Sequence, residues 1–299
     1  MQVDPNYISG VVSALNKSTL SEQSLTAELS SGLAVSSLSD NPVAAGESSL
    51  LNSSISQDDT FVQTASTTES MMQVTDTTLG SVVSQLTTAI SKATEGNGGT
   101  ENSTDLKSIA NQLSTIRDQV VALANTNYQG TYIFSGSKGD VQPFTTDTST
   151  SPATVTYNGD TNVNSITTVS GQTITTTLAG SSVFMGSTGN VMTALNNLIA
   201  DFSSGTASAT SASDISALTD GLTNVSTQRE SLDSSLDRLQ TASSYATSDA
   251  TNKTAAVSTL VSSDPTTVAT QLSSAETQNT SLMDVISTLE KQSLFDHIQ

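Results

Sequence analysis

One stretch constrains the fold more than any other, Ala44 to Ala93. Stepping by alternating fours and threes gives Ala44, Ser48, Leu51, Ile55, Asp58, Val62, Ala65, Glu69, Met72, Asp76, Leu79, Val83, Leu86, Ile90 and Ala93. Eleven of these fifteen positions are apolar, and the residues between them are mostly Ser, Thr, Gln, Asp and Glu. A seven-residue repeat of this kind keeps one helix face against a partner helix. Pro42 precedes it, where a missing N–H costs nothing, and Gly96, Gly98 and Gly99 can end it. Such a helix is roughly 75 Å long at the standard rise per residue. The pattern therefore predicts an elongated chain that packs lengthwise.

Composition agrees with narrow seams rather than a large core. Apolar residues make up 34% of the 299 positions, aromatics 4%, and there is no Trp. The formal charge of −19 has the wrong sign for nucleic acid, where binding releases phosphate counterions. It also disfavours an anionic membrane surface. No apolar run is long enough to span a membrane, and the N-terminus lacks the pattern of a cleavable signal peptide. The absence of cysteine excludes disulfides and thiolate metal sites.

Along the chain, Ile8, Val11, Leu15, Leu25 and Leu29 mark a first helix, with polar Ser18 and Glu22 where its seam should continue. This incomplete seam predicts order that depends on a partner. The run Ser30-Ser31-Gly32 and then Ser36 to Pro42 breaks the helix. After the long helix, Thr104 or Asp105 is expected to cap a third, with the seam Leu106, Ile109, Leu113, Ile116, Val120 and Leu123. From about 140 to 188 the chain is rich in Thr, Val, Gly and Asn. Thr154 to Tyr157 reads as a strand, with Asn158-Gly159 as a tight-turn signal. Residues 165–169 and 172–178 read as a hairpin around Ser170-Gly171. Helix returns at Val191, Leu195, Leu198 and Phe202. A second long seam runs from Ile215 to Leu260, eleven of fourteen positions apolar, with Asp214 as a candidate cap. Asp264-Pro265 interrupts it, and a last helix carries Val268, Leu272, Ala275, Leu282, Ile286 and Leu289, ending in Leu294-Phe295. The order of elements is palindromic, so the chain goes out and returns. Residues 1–42 and 265–299 are expected as paired terminal coiled-coil helices. Residues 43–135 with 190–264 form a central rod, and 136–189 a β-rich surface insertion.

The residues of catalysis are scarce. His297 is the single histidine, so a serine–histidine–aspartate triad or a histidine metal site would have to use it. No HExxH, phosphate-binding loop or GxGxxG occurs. The carboxylates Asp58, Asp59, Glu69, Asp76, Asp233 and Asp237 sit on expected helices with few aromatics to bind a sugar between them. No enzyme, metal or cofactor is expected. Asp58, Glu69, Asp76, Arg229 and Lys253 fall on seam positions. They either lie at the seam edge in water, the favoured reading, or pair across it and fix register.

Several motifs carry a resemblance. Leu29-Ser30-Ser31-Gly32 followed by Ser39-Asp40-Asn41-Pro42-Val43-Ala44-Ala45 resembles the N-terminal signature of the flagellin superfamily, in its hook–filament junction branch. Asp118 to Asn125, the run Gly130-Thr131-Tyr132-Ile133-Phe134-Ser135-Gly136, and Pro143-Phe144 are similar to the entry into that branch's central insertion. Gln228-Arg229 to Leu239 and Ser293-Leu294-Phe295-Asp296 look similar as well. Where that superfamily often carries basic residues after the glycine equivalent to Gly32, Leu33-Ala34-Val35 stand. The resemblance implies a mainly α, flagellin-like antiparallel bundle with a small β-rich insertion. It further implies unfolded export by the flagellar type III route with an export chaperone, and a homo-oligomeric ring. The ring's neighbours would be a hook-side junction protein and flagellin, outside the cell. The subunit contacts expected from the terminal seams are Ile8, Val11, Leu15, Leu25, Leu29, Leu272, Leu282, Ile286, Leu289, Leu294 and Phe295. Gly32, Ser39, Asp40, Pro42, Ala44, Ala45, Tyr132, Phe134 and Gly136 are the motif residues. A filament flagellin and a surface adhesin rod are the competing readings.

Overall fold

The computed structural model describes residues 5–186 and 189–296. Its helices are α1 (Pro5–Ser31), α2 (Pro42–Asn97), α3 (Ser103–Ala124), α4 (Gly180–Phe184), α5 (Val191–Ser203), α6 (Ser211–Val261) and α7 (Pro265–Asp296). The six strands β1 (Asn127–Tyr128), β2 (Thr131–Tyr132), β3 (Phe144–Asp147), β4 (Thr154–Tyr157), β5 (Ser165–Thr167) and β6 (Thr173–Thr175) form three antiparallel pairs. The protein is thus mainly α with a few small antiparallel sheets, as its heptads predict. The chain divides into two compact units, Gln57–Ser248 and Met1–Ser56 with Asp249–Gln299.

The 57–248 unit holds the core. Met72, Leu79 and Leu86 of α2, Leu113 and Val120 of α3, Leu195 and Leu198 of α5, and Leu218, Val225 and Leu239 of α6 are all fully buried within one cluster. The expected seam of α2 is corrected in one respect. Val62, Val83 and Ile90 are only half-buried, while their neighbours Phe61, Val82 and Ala89 are buried. A helix that faces more than one neighbour needs a stripe wider than a two-stranded seam.

Local corrections have physical causes. Asn102, not Thr104 or Asp105, caps α3: its side-chain oxygen accepts from the Thr104 and Asp105 backbone N–H groups at 2.8 and 3.1 Å. Likewise α6 begins at Ser211, ahead of Asp214, whose carboxylate accepts instead from Asn197 at 2.9 Å. Asn158-Gly159 is not a hairpin turn. Strand β4 pairs back to β3, with Phe144 opposite Tyr157, and the pair at 158–159 leads away from the sheet. The Asn158 side chain donates to Thr145 Oγ1 at 3.0 Å, and a Cβ on Gly159 would lie 2.3 Å from the Tyr157 hydroxyl. Here glycine is required by close approach, not by a turn. The tight turn lies earlier, between β1 and β2. Gln129 (φ 51°) and Gly130 (φ 90°) both adopt left-handed backbone there, the conformation of a two-residue hairpin loop.

Candidate subunit interface and insertion base

The terminal unit is built from α1, α7 and the adjoining ends of α2 and α6. Helices α1 and α7 pack against each other. The polar residues that interrupt the α1 seam face α7. Ser18 is buried and donates to the Ala275 carbonyl at 3.5 Å. Glu22 accepts from the Asn279 side chain at 2.8 Å. Buried polar groups at seam positions fix register at some cost in stability.

The two helix breaks are stitched together. Gly32 has φ +71°, a left-handed helix end that glycine adopts without strain. Its carbonyl accepts from the Ser263 N–H at 3.0 Å, and the Ala34 N–H donates to the Val261 carbonyl at 2.8 Å. Leu33 and Ser262 form an antiparallel bridge. The Asp40 carboxylate accepts from the Ser36 and Ser37 backbone N–H groups at 3.0 and 2.8 Å and from the Ser36 hydroxyl at 2.9 Å. These donors, the Ser36 N–H foremost, hold its pKa below the ordinary carboxylate value. The Ser39 hydroxyl meets that of Ser37 at 2.7 Å.

Both restarting helices use the same device. Asn41 accepts from the Ala44 N–H at 3.2 Å and Pro42 is the first residue of α2. Asp264 accepts from the Thr267 hydroxyl at 2.7 Å and the Thr266 N–H at 3.0 Å, and Pro265 is the first residue of α7. These bonds, the Thr267 hydroxyl first, lower the Asp264 pKa. A short polar acceptor followed by proline satisfies orphan N–H groups and presets φ. Ala44 is buried and Ala45 half-buried at the start of α2.

The seam itself is left open. Val11, Leu15, Leu25, Leu272, Leu282 and Ile286 are only half-buried, and Leu29 is exposed. The side chains of Ile8, Leu289, Leu294 and Phe295 lie outside the described residues, as does His297. Among the described residues, ten of the fourteen exposed large apolar side chains belong to this unit: Tyr7, Val12, Leu20, Leu29, Leu33, Leu38, Val43, Leu50, Met283 and Val285. Among the described residues its buried apolar ones are Ala44, Val268 and Ala275. A soluble surface carries scattered apolar residues, and among the described residues this unit exposes more large apolar side chains than it buries.

The second motif cluster holds the base of the insertion. Phe134, Phe144 and Phe184 are fully buried. Phe184 meets the other two edge-on, ring centroids 5.4 Å apart in both pairs, and Phe144 lies 5.1 Å from the Tyr157 ring. The Phe134 carbonyl accepts from the Gly180 N–H at 2.9 Å and from the Tyr157 hydroxyl at 3.0 Å. Burial raises the Tyr157 pKa. Gly136 has φ +74°, and a Cβ there would clash with Asp160, whose carboxylate accepts from the Ser137 N–H and hydroxyl. Tyr132 is half-buried in β2 and its N–H donates to the Gly139 carbonyl at 2.8 Å.

Sequence reasoning quoted Asn125 only within a motif, and missed its role here together with Arg117 and α4. Asn125 grips the Phe144 backbone from both sides, donating to its carbonyl at 2.8 Å and accepting from its N–H at 2.9 Å. Arg117, 4% exposed, is held by Asp118 at 2.7 Å and donates to the Ala153 carbonyl and Asn196 at 3.2 and 3.3 Å. Helix α4, which brings in Phe184, has no local signal beyond its apolar pair Val183-Phe184.

The charged seam residues do not all lie at a solvent edge as favoured above. Asp58 is buried. Asp76 and Arg229 pair across α2 and α6 at 2.5 and 3.2 Å. The guanidinium lies 3.5 Å from where a Gly80 Cβ would stand. Glu69 is half-buried, and burial raises its pKa. Lys253 pairs with Asp249 within α6 at 2.7 Å. No group of metal-ligating side chains is found among the described residues, and no described helix is long and apolar enough to cross a membrane.

Together these features give a mainly α chain with a flagellin-like fold, whose terminal unit exposes, among the described residues, more large apolar side chains than it buries. The family of the bacterial flagellin N-terminal helical region matches residues 9–139. More particularly, the chain is similar to flagellar hook-associated protein 3. It is 30% identical to that of Salmonella typhimurium over 134 residues, 44% of this chain and 42% of the relative. It is 35% identical to that of Escherichia coli K12 over 124 residues, 39% of this chain and 37% of the relative. The match thus spans about two fifths of these curated relatives. The fold is that of the Bacillus cereus FlgL crystal structure, with a TM-score of 0.58 at 20% identity, over 70% of this chain and 99% of that one.

Proposed function

We propose that the protein is a structural subunit of the bacterial flagellum, an adaptor that assembles as a ring of copies at the hook–filament junction. One face of the ring would meet a hook-side junction protein and the other the first flagellin subunits. Before assembly the chain would leave the cell by the flagellar export route, accompanied by a chaperone that shields its terminal seams. The likeness to hook-associated protein 3 supports the junction role. The single observation that carries the assembly is the terminal unit's composition: among the described residues it exposes ten large apolar side chains and buries one, Val268, beside Ala44 and Ala275. Fully burying a side chain of that size contributes about 1.5–3 kcal/mol, so such a surface favours association.

In this reading Ile8, Val11, Leu15, Leu25, Leu29, Leu272, Leu282, Ile286, Leu289, Leu294 and Phe295 line contacts between copies. Gly32, Ser39, Asp40, Pro42, Ala44 and Ala45 hold the break between α1 and α2. Tyr132, Phe134 and Gly136 anchor the outward insertion. The adaptor does no chemistry; its work is to match two neighbours and carry torque between them. Deleting the gene tests this. Negative-stain images should show hooks without filaments, with flagellin monomers in the medium. Normal filaments on the deletion strain would refute the junction role, and loss of surface attachment with intact motility would favour an adhesin.

A further inference from the structure

The chain contains two Asn-Gly pairs, Asn97-Gly98 and Asn158-Gly159, and the fold treats them differently. We propose that Asn97 is a site of spontaneous deamidation, and that Asn158 is protected. This inference does not depend on the proposed function.

The reaction needs only the chain and water. The Gly98 backbone nitrogen attacks the Asn97 side-chain carbonyl carbon, Cγ. A bond forms between that nitrogen and Cγ, the nitrogen's proton passes to solvent, and the Cγ–Nδ2 bond breaks. Nδ2 takes up a proton and leaves as ammonia, closing a succinimide. Water then opens the ring at either carbonyl, giving aspartate or isoaspartate. Glycine favours the attack because no Cβ obstructs the ring and its backbone is permissive.

Three hydrogen bonds and a wedged glycine close position 158 to this chemistry. The Asn158 side chain donates to Thr145 Oγ1 at 3.0 Å, its N–H donates to the Pro143 carbonyl at 2.8 Å, and its carbonyl accepts from the Lys138 ammonium at 3.4 Å. Gly159 is wedged: a Cβ there would lie 2.3 Å from the Tyr157 hydroxyl and 2.8 Å from the Ser135 carbonyl oxygen. Neither reacting group can turn toward the other without breaking this packing.

Position 97 is open. Asn97 is the last residue of α2 and half-buried, and its side-chain amide has no hydrogen-bond partner among the described residues. Gly98 is exposed, and Gly99 follows with φ +74° and nothing within 4 Å of its Cβ position. The one bond on the attacking nitrogen, Gly98 N–H to the Glu95 carbonyl at 3.1 Å, belongs to a terminal turn, which opens at little cost. The product places a carboxylate at the negative end of the α2 dipole, an unfavourable position, between Glu95 and Glu101. The isoaspartate form also adds a backbone methylene beside Gly96, whose Cβ position is only 3.0 Å from the Phe202 ring.

The test incubates the full chain at mildly alkaline pH and maps amide-to-acid conversion by peptide mass spectrometry, with enzymatic methyl labelling of isoaspartate. Asn97 should convert at least about tenfold faster than Asn158, the factor that about 1.4 kcal/mol of additional opening free energy imposes. In denaturant the two rates should converge. Gly98→Ala should slow conversion at 97 and leave 158 unchanged. Equal rates in the folded chain would overturn the proposal, as would an unreactive Asn97 under conditions where the denatured chain reacts there.

Discussion

At the scale of single residues, glycines separate by what their missing side chain would meet. Gly80 lies inside α2, where glycine costs about 1 kcal/mol relative to alanine, and the nearest atoms a Cβ would meet are those of the Arg229 guanidinium at 3.5 Å, an ordinary contact. Gly80→Ala should therefore raise stability in urea unfolding by about 0.5–1 kcal/mol. Gly221 in α6 is the opposite case. Its Cβ would stand 2.7 Å from Val191 Cγ2, where the backbone of Gly189 crosses the helix. Gly221→Ala should destabilise by about 1–3 kcal/mol, and a neutral result would contradict the close crossing. Asp40 and Asp264 make a prediction about pH. Hydrogen bonds lower both folded pKa values, so their stabilisation is complete above the unfolded carboxylate value and is lost as pH falls through the folded one. NMR titration should place both midpoints below those of the unfolded chain; midpoints at or above them would remove the Ser36, Ser37, Thr266 and Thr267 donors from the account.

At the scale of elements, polar pairs at seam positions set register, and the cap on α3 sets where that helix begins. Asp76–Arg229 is partly exposed on both sides, so a double-mutant cycle with Asp76→Asn and Arg229→Gln should give a coupling of roughly 0.5–1 kcal/mol. Zero coupling would make the pair incidental. Asn102→Ala should cost about 1 kcal/mol, whereas Thr104→Ala should change little. These cases also explain what could be read from sequence. Helix positions and most of the buried stripe were legible because Leu, Ile and Val repeat at a local period. The turn at 158–159 was misread because an Asn-Gly pair carries the same local preference whether it closes a hairpin or packs under Tyr157. The grip of Asn125 on Phe144 and the arrival of α4 against Phe134 and Phe144 depend on residues well separated in sequence, 19 positions apart in the first case, which no local pattern encodes. The polar breaks Ser18 and Glu22 were legible within one helix, but their partners Ala275 and Asn279 lie 257 positions away.

At the scale of the whole chain, the account rests on a contrast between two units. The 57–248 unit buries its own core, whereas among the described residues the terminal unit buries only Ala44, Val268 and Ala275 of its apolar side chains and leaves the described seam residues half-buried or exposed. Stability of that kind is uneven within one chain, and hydrogen exchange resolves it segment by segment. The most direct measurement is hydrogen–deuterium exchange read by mass spectrometry, on the free protein and on the same protein in isolated flagella. The account predicts fast exchange in α1 and α7 of the free chain, slow exchange in α3, α5 and the middle of α2, and protection of α1 and α7 only on assembly. Equal, strong protection of α1 and α7 in the free protein would contradict it.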